Sequence, residues 1–561
     1  MKRLLLLLAV FAAGLCHAQK DKKLSSDYEY KVGEPYKVID ADDKYYMSVD
    51  GKVIAIKIRK RDIFVQRFDV DKPSQISVKE YEDAFPKNAV YERMEIVKGK
   101  VMLFFTQWNG DDEIEQLFVQ EIDVDKGEFK GEAKRILQVK GRVVGSGSGR
   151  MMDFNLTDKF PIYTSFDKSN FLVQYEKRLD KKDKQDDGYH EKYGLVAFDG
   201  DLNQLSAREV EMPYSKKQMD NLDFQLDNSG NVYVLNKVFE DDSHKEKKKK
   251  GDDVAPNYHI ELFTLKPGSD QFKISKVESQ QFFINQLVIY DGPKGEIVAA
   301  GFYNKNLAKG GFFSKGEYAG FDSRANCDGL VTFKMKPDGT FGDMRSYEIP
   351  VELLNQNESK KTIRKNAKKE EDGESAKFTD LHARGIEIQD DGSVIFLAEQ
   401  YYVKVHTTAG GPNMPSRTYY TYHYNEILIA KLLANGTLGW MKKIPKQQVG
   451  TQGRGSMSFK HYEAGSDHFL VFFDNPDNVE IPADEVPKGY SDRKKGYLTA
   501  VRVADADGST SRGSIINVKE ADDFKLHQLS TNRIIKVNDN TFLMEAYKKG
   551  KEDVMVKVIL K

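Results

Sequence analysis

Ala383 to Tyr402 reads ARGIEIQDDGSVIFLAEQYY, and Glu426 to Pro445 reads EILIAKLLANGTLGWMKKIP. In the first stretch a strand meets a tight turn at Asp390-Asp391-Gly392 and continues into a run of β-branched and aromatic residues. The second repeats the plan around Asn435-Gly436. Two such hairpins make four short strands, the unit of a propeller blade.

The same unit recurs along the chain in weaker form. Upstream lie PKGEIVAAGFY (293–303) with GLVTFKMKPDGTFGDMRSYEIP (329–350), then DNSGNVYVLNKVF (227–239) with YHIELFTLKPGSDQFKISKVES (258–279). SNFLVQYEKRL (169–179) with YGLVAFDGDLNQLSAREVEM (193–212) precedes them, and single continuous copies run through 50–81 and 98–129. Downstream come DHFLVFFDNP (467–476) with GYLTAVRVADADGSTSRGSIIN (496–517), and the chain ends on NDNTFLMEAYKKGKEDVMVKVILK. Aligned on the second strand, the units start near Val53, Val101, Phe171, Val232, Ile297, Val394, Phe469 and Phe542. The expectation is an all-β propeller of about eight four-stranded blades, with seven as the runner-up. The short last unit would be completed by an N-terminal strand from the Tyr-Lys-Val segments between residues 29 and 40. A pair of β-sandwiches or an irregular solenoid is the competing architecture. MPYSKKQMDNL (212–222) is the best helical candidate, and it is short.

Residues 1–18 have the form of a secretory leader: Lys2 and Arg3, an apolar run from Leu4 to Leu15, and a small residue, Ala18, ahead of Gln19. That run is too short to span a bilayer, which takes about 20 residues, and no later run is long and apolar enough. Leu15 before Cys16 speaks against lipid attachment at that cysteine. Residues 19–561 then form one propeller domain, exported to the periplasm or the outer-membrane periphery, with full secretion as a further option. Cys327 is the only cysteine left, so no internal disulfide supports the fold.

The chain carries 86 basic and 87 acidic residues. Balanced charge argues against a nucleic-acid or anionic-membrane binder, which needs a basic excess gathered on one face. The runs KEKKKKGDD (245–253) and KKTIRKNAKKEEDGESAK (360–377) are expected to be solvated, mobile loops because acids follow their lysines.

Turns inside the hairpins are short, whereas the long insertions, Lys181–Glu191, Asp241–Pro256, Asn304–Asn326 and Lys404–His423, all fall between second and third strands. With the 355–377 link and the glycine-rich GSGSGRMMD and GTQGRGSMS segments they should decorate one face, which marks a binding face in repeat proteins. The last insertion is the most specific. Tyr420, Tyr422 and Tyr424 alternate to one side of an extended chain while Tyr419 and His423 point to the other. Such rings bind sugars or peptide side chains, and they also pack in ordinary β-ladders. If the insertion is only a surface loop, deleting Lys404 to Tyr424 should leave folding nearly intact.

Catalytic signatures are absent. There is no Gly-x-Ser-x-Gly elbow, no His-Glu-x-x-His pair and no Gly-Lys-Ser/Thr phosphate loop. Asp505–Gly508 (DADG) and Asp123–Gly127 (DVDKG) resemble calcium loops but lack the remaining oxygen ligands, and both fall where a hairpin turn is expected. No metal, cofactor or catalytic set is therefore assigned.

The Ala18-Gln19 junction and the polar-turn hairpins, such as DDGSVIFLAEQYY and LANGTLGWMKKIP, resemble those of exported β-propeller-like proteins of Bacteroidetes-type bacteria. The resemblance is diffuse and implies an architecture and a compartment, not a reaction. The expectation for function is a non-enzymatic binding or scaffold protein of the cell envelope, recognising a protein or polysaccharide partner and no nucleic acid. The alternatives are an envelope hydrolase or lyase with its site in the central depression, and a ligand sensor.

Overall fold

The computed structural model describes residues 24–145, 159–178, 188–250, 253–277, 282–306, 326–337, 339–408, 417–451, 456–491, 496–518, 521, 526–528, 530–548 and 550–561. The leader, most of GSGSGRMMD and parts of the insertions lie outside them.

Among the described residues, eight antiparallel sheets of at least four strands follow one another along the chain. Their second strands begin at Lys52, Lys100, Asn170, Val232, Ile297, Val394, Asp467 and Thr541, so each of the eight expected positions falls inside one. The eighth sheet joins the chain ends. Tyr28–Val32 pairs antiparallel with Glu552–Leu560, in register from Tyr28 opposite Leu560 to Val32 opposite Val556.

The sheets close into a ring because each buries a face against the next. Ile54 and Ile56 of blade 1 pack with Leu103 and Phe105 of blade 2, and Phe104 of blade 2 packs with Phe171 and Phe198 of blade 3. Further clusters join blades 3 and 4, 4 and 5, 5 and 6, 6 and 7, and 7 and 8. Val53 and Ala55 meet Leu543 and Met555 to join blade 8 back to blade 1. Continuous burial of the middle strands, as in Lys52–Arg59 and Val232–Phe239, reflects sheets covered on both faces. The protein is thus an eight-bladed β-propeller. First strands of neighbouring blades touch, as Met219–Leu226 does Phe283–Asp291, which places them nearest the axis, while fourth strands such as Ser74–Tyr81 are the exposed ones.

Turns from first to second strand and from third to fourth emerge on one face, here the turn face, and all are short. Blade-to-blade links and second-to-third-strand connections emerge on the other, the link face. Two charge runs expected to be mobile are ordered there. Lys247–Lys250 pairs with Asp253–Pro256 as a small hairpin. Lys360–Glu371 is a helix whose N-cap Ser359 accepts the Thr362 N–H; its lysines, arginine, alanine and glutamates are good helix formers. MPYSKKQMDNL is not helical. Gln204–Ser215 and Met219–Leu226 are strands separated by a three-residue turn, because pairing with neighbouring strands overrides a weak local preference. Among the described residues no helix is long and apolar enough to cross a membrane.

Candidate functional site

The link face is held together by buried carboxylates, most of them near the start of a third strand or the end of a second. Glu115 of blade 2 pairs at 2.9 Å with Lys159, which sits in the link to blade 3. Glu191 of blade 3 pairs at 3.0 Å with Lys216 of the next link, and Asp328 of blade 5 at 2.9 Å with Lys377. Glu399 of blade 6 binds Lys446, Arg384 and the Ser458 hydroxyl, each at 2.8 Å. At the ring closure Glu545 of blade 8 takes Lys57 of blade 1 at 2.7 Å and accepts hydrogen bonds from Tyr36 and Tyr46. Burial alone would raise the Glu545 carboxyl, but the Lys57 charge and these three donors outweigh it and hold it below the usual range.

Local backbone irregularity aims some of these groups. In blades 2, 5 and 6 the first strand carries a bulge, leaving Glu92, Asn285 and Arg384 out of register. Each extra residue turns into the polar girdle: Glu92 accepts from Thr106 Oγ1 at 2.7 Å and from the Lys159 N–H, Asn285 donates to the Asn326 carbonyl, and Arg384 reaches Glu399. The girdle therefore fixes the loops of the link face to the ring.

From this face one hairpin projects beyond its sheet. Val394–Thr408 and Arg417–Leu432 stay paired out to Thr408 opposite Arg417, past the fourth strand, which ends at Ile444 opposite Ile427, and past Gln448–Gly450, which pairs with the hairpin out to Tyr422. The alternation expected from sequence is present. On one side Tyr402 stacks on His423 with centroids 4.5 Å apart, and His406 stacks on Tyr419 at 4.6 Å. Thr421 Oγ1 lies between the two imidazoles, 2.9 Å from His406 Nε2 and 3.1 Å from His423 Nε2. Burial, with Lys404 and His406 beside it, pushes His423 down to about 4, so its ring is neutral at pH 7. On the other side Tyr424, 2 % exposed, packs against Tyr401 in the core. Tyr422 is half-buried against the same cluster, and Tyr420 is 44 % exposed.

The five candidate residues thus separate by depth. Tyr419 and Tyr420 stand in solvent beside Val405, which is 57 % exposed; His423 and Tyr422 stiffen the stem; Tyr424 anchors it. Removing Lys404 to Tyr424 would take out Tyr424 and Tyr422 with the loop, so a cut that spares the core ends at Thr421. The two calcium-like segments are hairpin turns. Asp505 is bound by Lys431 at 2.6 Å and by His468 Nε2 at 3.1 Å, and Asp123 accepts the Lys126 N–H.

Reading the sequence missed the girdle, although its signal is there. Once the third strands are aligned, a carboxylate precedes the apolar run in EIEQLFV, HEKYGLV, CDGLVTF and EDVMVKV.

No protein-family description matches the chain, and no curated protein matches it. Among solved structures it is similar to the WD40 domain of SCAP from fission yeast, at 7% identity over 96% of this chain and 99% of that one, with a TM-score of 0.33. A protein of unknown function from Dyadobacter fermentans shares 9% identity over 96% of this chain and 100% of that one, at 0.31. An apocarotenoid oxygenase of Synechocystis shares 8% over 72% of this chain and 71% of that one, at 0.32. Likeness at this level adds nothing to the ring, which rests on its own pairing and packing.

Proposed function

We propose that this is a binding protein of the cell envelope that captures a protein or polysaccharide partner on its link face, with the projecting hairpin as the principal contact. The observation that carries the reading is the hairpin itself: Tyr419, Tyr420 and Val405 are large, apolar and exposed at the end of an ordered stem. Exposing such side chains on a stiff support is costly in water and favourable at an interface, where tyrosine contributes area at little entropic cost. The stacked Tyr402–His423 and His406–Tyr419 pairs reduce the ordering cost on binding further.

The test is affinity capture from the producing cells' envelope fraction, using protein that lacks residues 1–18, alongside a Tyr419→Ser/Tyr420→Ser variant. Neither ring is in the core, so both proteins should melt at the same temperature. The reading expects one stoichiometric protein or polysaccharide on the parent protein and its loss from the variant. Equal retention by both, or nothing on either, refutes it.

A further inference from the structure

The basic helix Lys360–Glu371 lies in the link from blade 5 to blade 6. Its sequence, KKTIRKNAKKEE, places six cations at spacings of one and four, so Lys360, Arg364 and Lys368 form one row and Lys361, Lys365 and Lys369 an adjacent row. All but Lys369 are exposed. None of the six makes an ion pair among the described residues. The helix contains only two carboxylates, and Glu370 turns back to accept the Ala376 N–H. Balanced charge over the whole chain conceals a concentrated positive surface here.

This surface is fixed in place. Asn366 donates to Asn355 of the preceding short helix, Val351–Asn355, at 2.8 Å. Lys443 of blade 6 donates to the carbonyls of Leu354 and Gln356. Asn357, buried between the two helices, donates to the carbonyls of Pro482 and Glu485 in the insertion of blade 7 at 2.9 Å each. The residue after Glu485 is Val486, 48 % exposed. An exposed apolar side chain thus follows directly on the segment bonded to Asn357, three residues ahead of the cation rows. Val254, on the small hairpin carrying exposed Lys247 and Lys248, provides a second apolar point on the same face.

We infer that the link face docks on an anionic lipid surface, with the two cation rows of Lys360–Glu371 over the phosphate headgroups and Val486 entering the interface. A planar charged surface is favoured over a soluble polymer because the rows lie on a convex helix and not in a groove, and because apolar side chains flank them. The rows and Val486 are separate from the tyrosine hairpin, so this inference and the proposed function can fail independently.

The experiment is vesicle co-sedimentation with protein lacking residues 1–18, which would insert on their own account; every described element is retained. Vesicles are phosphatidylcholine alone or mixed with phosphatidylglycerol. Binding is expected only to the mixed vesicles and is expected to vanish near 1 M salt, where the screening length falls to about 3 Å. Each cation near such a surface contributes roughly fivefold in affinity, so Lys361→Gln/Arg364→Gln/Lys365→Gln/Lys368→Gln should bind several-hundredfold more weakly. Glutamine keeps the helix, which circular dichroism and an unchanged melting temperature would verify. Val486→Ser should weaken vesicle binding several-fold and leave binding to soluble polyphosphate unchanged. The inference is overturned if mixed vesicles are not bound at low salt, if the quadruple variant binds them as the parent does, or if the parent binds polyphosphate but not vesicles.

Discussion

Lys57→Met would test the ring closure. Lys57 and Glu545 are both fully buried, 2.7 Å apart, and they join blade 1 to blade 8. At an effective dielectric near 20 that separation gives an attraction of about 6 kcal/mol, offset by several kcal/mol for desolvating the ammonium. Removing the lysine leaves two buried carboxylates: Glu545, still supported by the Tyr36 and Tyr46 hydroxyls and by Arg533 at 3.8 Å, and Asp553, 3.5 Å from the lost ammonium and already raised by burial and by Glu545. The cost should therefore fall at the low end of the range for breaking a buried pair, about 3 kcal/mol. Glu545→Gln in the Lys57→Met background removes one of the two uncompensated charges and keeps an acceptor for both tyrosines, so the double variant should regain about half of the loss. The pH dependence has a definite sign. In the parent the depressed Glu545 carboxyl contributes stability that is present above its unfolded value and lost as pH falls; in Lys57→Met the carboxyl rises, and protonation relieves the penalty. The gap between the two proteins should narrow as pH falls from 7 toward the unfolded carboxyl value of about 4.3, as the variant gains, and further below it, as the parent loses. Urea denaturation of the three proteins at pH 7 and pH 4.5 measures this. A loss under about 1 kcal/mol at pH 7, or a double variant no more stable than Lys57→Met, would refute the reasoning.

Three further outcomes follow from buried groups elsewhere. Asp291 is 2 % exposed; its Oδ2 accepts the Phe166 N–H while Oδ1 has no partner, and burial pushes the carboxyl up to about 7. The native state then holds a proton that the unfolded chain releases near pH 4, so stability falls as pH rises from about 4 to 7, and Asp291→Asn should be about 2 kcal/mol more stable at pH 8, as urea midpoints across that window would show. A Cβ at Gly301 would stand 1.9 Å from the Gln286 carbonyl oxygen, so Gly301→Ala should cost about 3 kcal/mol in the same assay. The Cys327 thiol is 1 % exposed and burial raises its pKa well above the usual thiol range, so a maleimide should label it only as fast as the protein unfolds, a rate readable by mass spectrometry.

Much of the architecture was legible because propeller blades repeat a local signal. Every second strand expected around Val53, Val101 and their six counterparts is present, and the completion of the last blade by an N-terminal strand is realised by Tyr28–Val32. Local patterns did not reveal what depends on long-range partners. Lys446 and Glu399 are 47 residues apart, and Lys57 and Glu545 are 488. The alternation of Tyr419, Tyr420, Tyr422, His423 and Tyr424 was readable from spacing, but their depth was not, because burial of Tyr424 depends on Tyr401 across the ladder. The acids following the lysines of KKTIRKNAKKEE suggested cancellation along the sequence; on the helix the two rows remain without ion-pair partners among the described residues.

The pairing of Tyr28–Val32 with Glu552–Leu560 also bears on how the protein comes into being. Blades 1 to 7 are each built from one continuous stretch of chain, and each can assemble as soon as its own segment emerges. The eighth cannot, since its outer strand, Tyr28–Val32, precedes every other blade along the chain and its remaining strands follow them all. Until the C-terminus is delivered, the molecule is an open arc with two unsatisfied edges, vulnerable to chaperone capture, proteolysis or pairing with another chain. The Lys561 N–H donates to the Asp27 carbonyl at 2.9 Å, so the two ends finish side by side. A circular permutant that fuses them and opens a turn-face loop would carry blade 8 as one contiguous unit and move the waiting step to whichever blade was cut.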